Sequence, residues 1–423
     1  MSLATVRPGR IEGSIQAPPS KSYTHRALVV GHLTRRRFSV VRPLDADDTR
    51  ATARAIDALG SRVSRARGVW RIVPDRGTVP RRRSIDCGES GTTLRFIAAL
   101  AARSGTRTVL RGRGRLPERP LGELLDALAA LGAEVRRPAG RRTLPLTLVG
   151  PIHGGSVRLD ASQSSQFASA LLLTLPTLGE DSELRLTGTI VSEPYLEATI
   201  AILRRHGIRL RRWGRHFSIP GRQRYEGQRS RVPGDASSAA YLWAGAAISG
   251  GRVRVRGIPP DLPQADLAVL GLLRARGARV EVRSDGAIVA SGGPSPFRVD
   301  LTACPDLYPL AAVLAATVPG ASSLLGAAHV IHKESDRRAE AIRLAAALGA
   351  SVRPTRSGLR IRGTSAPRGF RLTDLDDHRV VMSAAVGALA AGTPSHIADA
   401  GAVRKSFPGF WDALRSLGAS VRT

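Results

Sequence analysis

Six times along the chain one short string returns: apolar residues at helical spacing, a glycine, then an alternating strand. The glycines are Gly60, Gly132, Gly207, Gly277, Gly349 and Gly418, at intervals of 72, 75, 70, 72 and 69 residues. One helix–glycine–strand string is commonplace in α/β proteins. Six at near-constant spacing mark an internal repeat, which constrains architecture more than any local propensity. The local physics agrees. A glycine just past a helix takes a positive φ at little cost. The segments that follow, such as Val280-Glu281-Val282 and Val352-Arg353-Pro354, alternate as strands do. Dividing 423 residues by six leaves about 70 per unit, room for about two helices and several strands. Strand-like segments at 108–111, 156–159 and 252–256 fill the spaces between helices. The expected class is α/β (α+β), built from repeated βαβ-type units.

Several other classes drop out. No Gly-x-Gly-x-x-Gly follows a first strand, and Arg111-Gly112-Arg113-Gly114-Arg115 lacks both a third glycine and a following helix. The P-loop pattern is absent too, so nucleotide binding through either device is not expected. With 42% hydrophobic and 23% charged residues the chain is an ordinary globular mixture. Its longest apolar stretch, 307–318, stops at Pro319-Gly320, short of the about 20 residues a membrane span needs. The opening residues carry no apolar signal region. Two cysteines, Cys87 and Cys304, provide neither a disulfide framework nor metal-ligand spacing. A cytoplasmic protein without membrane partner or bound metal is expected.

The formal charge is +30, from 64 Lys+Arg against 34 Asp+Glu. That invites a nucleic-acid reading, with patches at Arg35-Arg36-Arg37, Arg81-Arg82-Arg83, 111–115 and Arg211-Arg212. The arginines are spread through every segment, however, and aromatics make up only 4%. Single-strand binders interleave stacking aromatics with the basic track. Nucleic acid is therefore not the expected partner; a solvated arginine surface and anionic small substrates remain. Of the cations only Lys21, Lys333 and Lys405 are lysine, and asparagine is absent. This looks like compositional drift that replaced Lys wherever Arg would serve. Lys offers a compact point charge, whereas Arg is a wide planar fork, so three retained lysines mark places that need the narrower group.

Each lysine sits in a polar string beside a predicted helix. Lys21 and Ser22 follow Pro18-Pro19-Ser20, with Ser20 or Ser22 as cap, an apolar helix from Ala27, and Arg26 on the same face as Ser22. Free N–H groups at such a helix start favour an anion. Lys333 and Arg337 share a face at i, i+4 beside Glu334, before a helix at 339–348. Lys405 lies in a turn before the last helix. Singly, these are ordinary caps, helix starts and surface turns. Ser90-Gly91-Thr92-Thr93, Gln163-Ser164-Ser165-Gln166 and Asp376-Asp377-His378-Arg379 open three more apolar helices, and five such starts together suggest a shared anionic ligand.

In chain order these strings resemble the 5-enolpyruvylshikimate-3-phosphate synthases. The similarity runs through Lys21-Ser22-x-x-x-Arg26, Ser90-Gly91-Thr92-Thr93-x-Arg95, Pro117-Glu118-Arg119-Pro120 and Ser164-Ser165-Gln166-Phe167. It continues through Ser192-Glu193-Pro194-Tyr195, Gly234-Asp235-Ala236-Ser237-Ser238, Asp306, Lys333-Glu334-Ser335-Asp336-Arg337, Asp377-His378-Arg379 and Lys405-Ser406-Phe407-Pro408. The resemblance covers nearly the whole chain and takes in all three lysines. It implies the enolpyruvyl transferase fold: two similar domains, each of three repeated units of roughly 70 residues, closing over substrates between them. The chain would cross near Ile15 and Arg231, giving domains 15–230 and 1–14 plus 231–423. The implied reaction moves the enolpyruvyl group of phosphoenolpyruvate onto the 5-hydroxyl of shikimate-3-phosphate, releasing phosphate, with no metal or organic cofactor and in a monomer.

Carried over by motif, the resemblance assigns shikimate-3-phosphate contacts to Lys21, Ser22, Arg26, Ser164, Ser165, Gln166, Ser192, Tyr195, Asp306 and Lys333. Phosphoenolpyruvate would be held by Lys21, Gly91, Arg119, Gln166, Arg337, Arg379 and Lys405. The catalytic set would be Asp306, taking the proton of the attacking hydroxyl with Lys333 assisting, Glu334, exchanging the methylene proton, and Lys21. The residue types fit: two polyanions must be neutralised before they meet, and addition followed by elimination needs an acid and a base. Arg suits bidentate clamping of phosphate and carboxylate. Two departures stand where the family has Asn. His329 replaces an amide by an imidazole, with fewer hydrogen bonds, and Glu89, a negative charge near an anion site, is expected to point away. Gly91 is the small residue that leaves room for glyphosate, so sensitivity to that inhibitor is expected. The alternatives are the sister transferase acting on a UDP-amino sugar, whose loop cysteine has no counterpart at Cys87 or Cys304, and a basic nucleic-acid-binding protein on the same scaffold.

Overall fold

The computed structural model describes residues 2–75, 82–140, 142–326 and 328–423; Arg81 of the basic run at 81–83 lies outside them. The helices, in order, are α1 (Lys21–Leu33), α2 (Asp47–Ala58), α3 (Gly91–Ala101), α4 (Gly122–Ala130), α5 (Ser165–Thr174) and α6 (Glu193–Arg205). Then come α7 (Ala236–Ile248), α8 (Ala268–Ala275), α9 (Tyr308–Ala316), α10 (Arg337–Ala347), α11 (His378–Leu389) and α12 (Phe410–Ser416). Among the described residues the strands form six four-stranded sheets. No helix among those residues is long and apolar enough to cross a membrane.

Every sheet has one pattern. A first strand pairs parallel with a second, which pairs antiparallel with a third, itself antiparallel to the fourth; the last two are consecutive in the chain except where Leu3–Val6 pairs with Val421–Arg422. In one copy Arg298–Asp300 runs parallel to Gly320–Leu325, which is antiparallel to Gly358–Gly363, itself antiparallel to Ser351–Thr355. In chain order this is strand, helix, strand, helix, hairpin. The first helix of each copy is buried nearly all round: α9 and α11 are buried along their whole length. The second is amphipathic, as in α2 and α10, and covers the outside.

The six repeat glycines each fall two residues past one of these second helices, with φ of 98°, 107°, 79°, 98°, 92° and 96°. Schellman caps close the helices. Ala278 N–H donates to Leu273 C=O at 2.9 Å, and Gly277 N–H donates to Arg274 C=O at 2.9 Å. The space around these glycines differs. A Cβ on Gly277 would lie 1.8 Å from the Gly293 carbonyl oxygen, whereas one on Gly60 meets nothing within 4 Å. Gly60→Ala is expected to destabilise by about 1–2 kcal/mol, the left-handed backbone cost alone. Gly277→Ala adds a backbone clash and should exceed that clearly in urea unfolding; equal losses would contradict the reading.

The chain falls into two compact units, Met1–Pro18 with Pro233–Thr423, and Pro19–Val232, with three sheets in each. The crossings therefore lie after Pro18 and Val232 rather than at Ile15 and Arg231. Ile15 belongs to Glu12–Gln16, which pairs parallel with Arg252–Arg256 of the first unit. Arg231 pairs with Val41 in the second. Two sheets of the first unit are completed from the N-terminus. Glu12–Gln16 is an edge strand, and Leu3–Val6 is inserted between Ser395–Ala398 and Val421–Arg422.

Candidate active site

In the unit formed by 1–18 and 233–423, several helix starts bring their polar residues together. Asp306 sits in the 3-10 turn Pro305–Leu307 that leads into α9. Arg337 opens α10 behind its cap Asp336, which accepts from the Arg338 and Ala339 N–H groups at 3.0 Å each. The expected start at 339 was two residues late, because the cap is Asp336. Asp377 caps α11 by accepting from Arg379 N–H at 2.8 Å.

Arg337 is 1% exposed and ties these starts to one another. Its Nη1 donates to Asp306 at 2.5 Å, Nη2 to Glu334 at 2.8 Å and Nε to Asp377 at 2.7 Å, with a longer Nη2 contact to Asp377 at 3.4 Å. Four of its five N–H donors are thus given to carboxylates. Arg379 adds a contact at 2.7 Å to Asp306 and one at 3.7 Å to Asp266, and Lys333 Nζ stands 3.5 Å from Asp306.

Asp306 is therefore ringed by three cations. Burial alone would raise its pKa, but Arg379, Lys333 and Arg337 together hold it well below the usual carboxylate range. Asp377 is likewise driven up by burial and brought below its ordinary value chiefly by Arg337. Asp266 goes the other way: burial pushes it up to about 6 despite Arg379, and it accepts from Ser237. His329 is buried, and burial followed by Lys333 pushes it down to about 4, leaving a neutral imidazole. Lys405 Nζ donates to the Asp376 carbonyl at 2.8 Å.

In the unit 19–232 a second group gathers at helix starts. Helix α1 begins at Lys21 behind Ser20, one of the two caps expected, ahead of the apolar run at Ala27. The polar opening residues are helical because α1 is buried on most sides and must satisfy its backbone internally. Lys21 Nζ pairs with Asp48 at 2.9 Å. Arg26 is 2% exposed and turned inward. It donates to Thr199 at 2.9 Å, the Tyr195 carbonyl at 2.8 Å, the Ser22 carbonyl at 3.0 Å and Ser169 at 3.5 Å, and stands over the Phe96 ring at 5.5 Å.

Ser164 caps α5 through Gln166 N–H at 3.2 Å. The Gln166 side chain accepts from Arg95 at 2.8 Å and donates to Thr92 at 3.2 Å, which joins the starts of α5 and α3. Ser192, before α6, has φ of 56°, a left-handed strain a non-glycine residue holds only when its surroundings impose it. Gly91 is glycine for want of space: a Cβ would lie 2.7 Å from Arg119 Nη1 and 2.9 Å from Arg95 Nη1. Glu89 turns toward Arg113, 3.8 Å from its Nε.

Comparison with known proteins now bears on this arrangement. The family profile described as EPSP synthase (3-phosphoshikimate 1-carboxyvinyltransferase) matches residues 6–414. The chain belongs to the EPSP synthase family. Relatives named 3-phosphoshikimate 1-carboxyvinyltransferase include those of Thermococcus kodakarensis, 41% identical over 97% of this chain and 99% of theirs, and Methanocorpusculum labreanum, 36% identical over 98% of each. A solved EPSP synthase from Acinetobacter baumannii superposes over the full length of both chains with a TM-score of 0.81 at 22% identity, a likeness of fold. The six small mixed sheets are those of the enolpyruvyl transferase architecture.

Some participants in this EPSP synthase arrangement were absent from the sequence-based set. Arg95 closes the Ser90-Gly91-Thr92-Thr93-x-Arg95 motif, where it holds Gln166 and lines Gly91. Asp48 had no signal, since nothing in Asp47-Asp48 says which lysine it meets. Asp266 follows Gln264-Ala265 in a short turn that local spacing does not separate from a surface loop. Gly91→Ala should push the Arg119 guanidinium off its position. Charge-assisted hydrogen bonds contribute about 1.5–3 kcal/mol each, so if Arg119 holds phosphoenolpyruvate as the resemblance implies, KM for it is expected to rise about ten- to a hundredfold. An unchanged KM would show that Arg119 makes no such contact.

Proposed function

We propose that this protein transfers the enolpyruvyl group of phosphoenolpyruvate to the 5-hydroxyl of shikimate-3-phosphate, releasing phosphate. The observation that carries the reading is Asp306: a carboxylate only 17% exposed and held ionised by Arg379, Lys333 and Arg337, in a chain matching the family from residue 6 to 414. In this reading the hydroxyl oxygen adds to C2 of phosphoenolpyruvate, its proton passing to Asp306 with Lys333 assisting, while C3 gains a proton from Glu334. Elimination then returns the C3 proton to Glu334 and expels phosphate, which leaves with the proton held at Asp306, restoring both the double bond and the base. The balance needs no oxidant or reductant.

Lys21, Ser22, Ser164, Ser165, Gln166, Ser192 and Tyr195 are proposed to hold shikimate-3-phosphate, and Arg119, Arg379 and Lys405 the anionic groups of phosphoenolpyruvate. Arg26 and Arg337 have one N–H donor each left by the contacts above, so their contribution is chiefly to position α6 and the carboxylates. The deciding assay is phosphate release from the two substrates, run beside a UDP-amino-sugar acceptor. Turnover with the sugar alone, or with neither, would sink the proposal. A finer test is Lys405→Arg. A point charge reaching the Asp376 carbonyl is replaced by a wider fork, and kcat/KM is expected to fall at least tenfold, about 1.4 kcal/mol. A silent substitution would end the argument that the retained lysines are functional.

A further inference from the structure

The three buried helices that open on candidate active-site residues in the unit 19–232 also end together. A cavity of about 870 Å³ lies where they end, lined by Arg35 and Arg36 after α1, Arg103 after α3, and residues 177–179 beyond α5, with Arg222, Arg224 and Glu226 opposite. Helix α1 alone separates Lys21 from Leu33 by about 18 Å at 1.5 Å per residue, so the cavity is distinct from the groups described above. Its size falls within the range of small-molecule sites, roughly 300–1,000 Å³.

The charge there is unbalanced. Five arginines face one glutamate. Helix C-termini offset cations by about half a charge each, so three of them leave a surplus of about two to three positive charges. Among the described residues none of the five arginines forms an ion pair. Arg103 is the telling member: its Nε is buried without a hydrogen-bond partner. Burial, and then Arg35, push its pKa down to about 10. Arg35 and Arg222 hold their places on left-handed backbone, at φ of 51° and 55°, a conformation that costs a non-glycine residue about 1–2 kcal/mol. A neighbouring cavity of about 510 Å³ shares Arg35 and Arg103, but there Asp57 and Asp75 bring Arg83 and its partners near balance. The excess lies on the first side.

We propose that this arginine-lined cavity is an anion-binding site separate from the catalytic groups, taking a small molecule that carries a phosphate or pyrophosphate group. Planar guanidinium forks bind such oxyanions bidentately, and a group with two to three charges would cancel the surplus.

The test is calorimetric titration of the full-length protein with inorganic pyrophosphate at low ionic strength. Arg35→Ala/Arg224→Ala removes two exposed lining arginines and should raise Kd at least tenfold, with kcat and KM for enolpyruvyl transfer unchanged. The control Arg360→Ala/Arg362→Ala removes the same charge from an exposed strand of the other unit and should leave Kd alone. Equal weakening in both would mean diffuse attraction to a basic surface, and overturns the proposal. Unchanged binding in the first variant also overturns it, because pyrophosphate held by Arg379 and Lys405 would not respond to Arg35 or Arg224. Arg103→Leu should abolish the site; should that variant fail to fold, the exposed pair still decides.

Discussion

Asp306→Asn is expected to lower kcat by two to four orders of magnitude, about the contribution of a positioned general base, with KM for either substrate changed far less. The asparagine keeps the size and one acceptor, so the turn before α9 stays in place, but no group remains to take the hydroxyl proton. The pH profile sharpens the test. With its pKa held well below the ordinary range by Arg379, Lys333 and Arg337, Asp306 is ionised throughout the working range of the free enzyme. The kcat/KM profile should therefore show no acidic limb from this group above about pH 4, near the unperturbed carboxylate value. The same cations make it a weak base; in the proposed reaction the anionic substrates engage Arg379 and Lys333 and relieve the positive field. Any limb from Asp306 thus belongs to kcat, which reports the substrate complex. Near-normal kcat in the variant would remove Asp306 from the chemistry.

Arg337→Met should have the largest effect on stability. The arginine is 1% exposed and bonded to Asp306, Glu334 and Asp377, of which Asp377 is itself fully buried. Removing one partner of a buried ion pair costs about 3–5 kcal/mol, because the remaining charge is left uncompensated. A linear methionine of similar length fills the space, so the loss is electrostatic rather than a void. The sign of the pH dependence follows. In the wild type the depressed pKa of Asp377 contributes stability above the unfolded value near 3.8, lost as pH falls through the lower folded value. In the variant burial acts unopposed by Arg337 and raises that pKa, so the penalty is greatest at neutral pH. It shrinks as the pH drops and the carboxyl takes up a proton. Urea unfolding at pH 7 and pH 4.5 should show the gap between the two proteins narrowing; a gap independent of pH would mean the loss is one of packing.

The repeat was legible because it rests on backbone conformation. A glycine two residues past a helix is required wherever φ must be near 100°, and that requirement survives compositional drift that removed asparagine and nearly all lysine. Helix starts were legible as polar strings, and Ser20 was among the caps expected for α1. The start of α10 was less so: Asp336 accepts from the Arg338 and Ala339 N–H groups and carries the helix back to Arg337, ahead of the apolar run at 339. Site pairings were legible in type and not in partner. Nothing local distinguishes Arg337, bonded to carboxylates just ahead of α9, α10 and α11, from an arginine that meets a ligand directly. Asp48, Asp266 and Arg95 acquire their places only through contacts between segments distant in sequence. The cavity at the ends of α1, α3 and α5 lay hidden for the same reason, its arginines scattered among 61.

The strand Leu3–Val6 pairs with Ser395–Ala398, Leu3 facing Ala398. As the chain is made, residues 3–6 wait for residues 395–398, which follow nearly 390 residues later. The unit 19–232 is contiguous and can fold in the meantime, consistent with domains folding as units from the N-terminus. Once it has done so, 214 residues of the loop joining those two strands are no longer free chain. Loop-closure entropy scales as (3/2)RT ln n, so this shortening eases the final pairing by about 0.7 kcal/mol. The inserted unit thereby acts as a tether that brings the two halves of its host within reach of each other during synthesis.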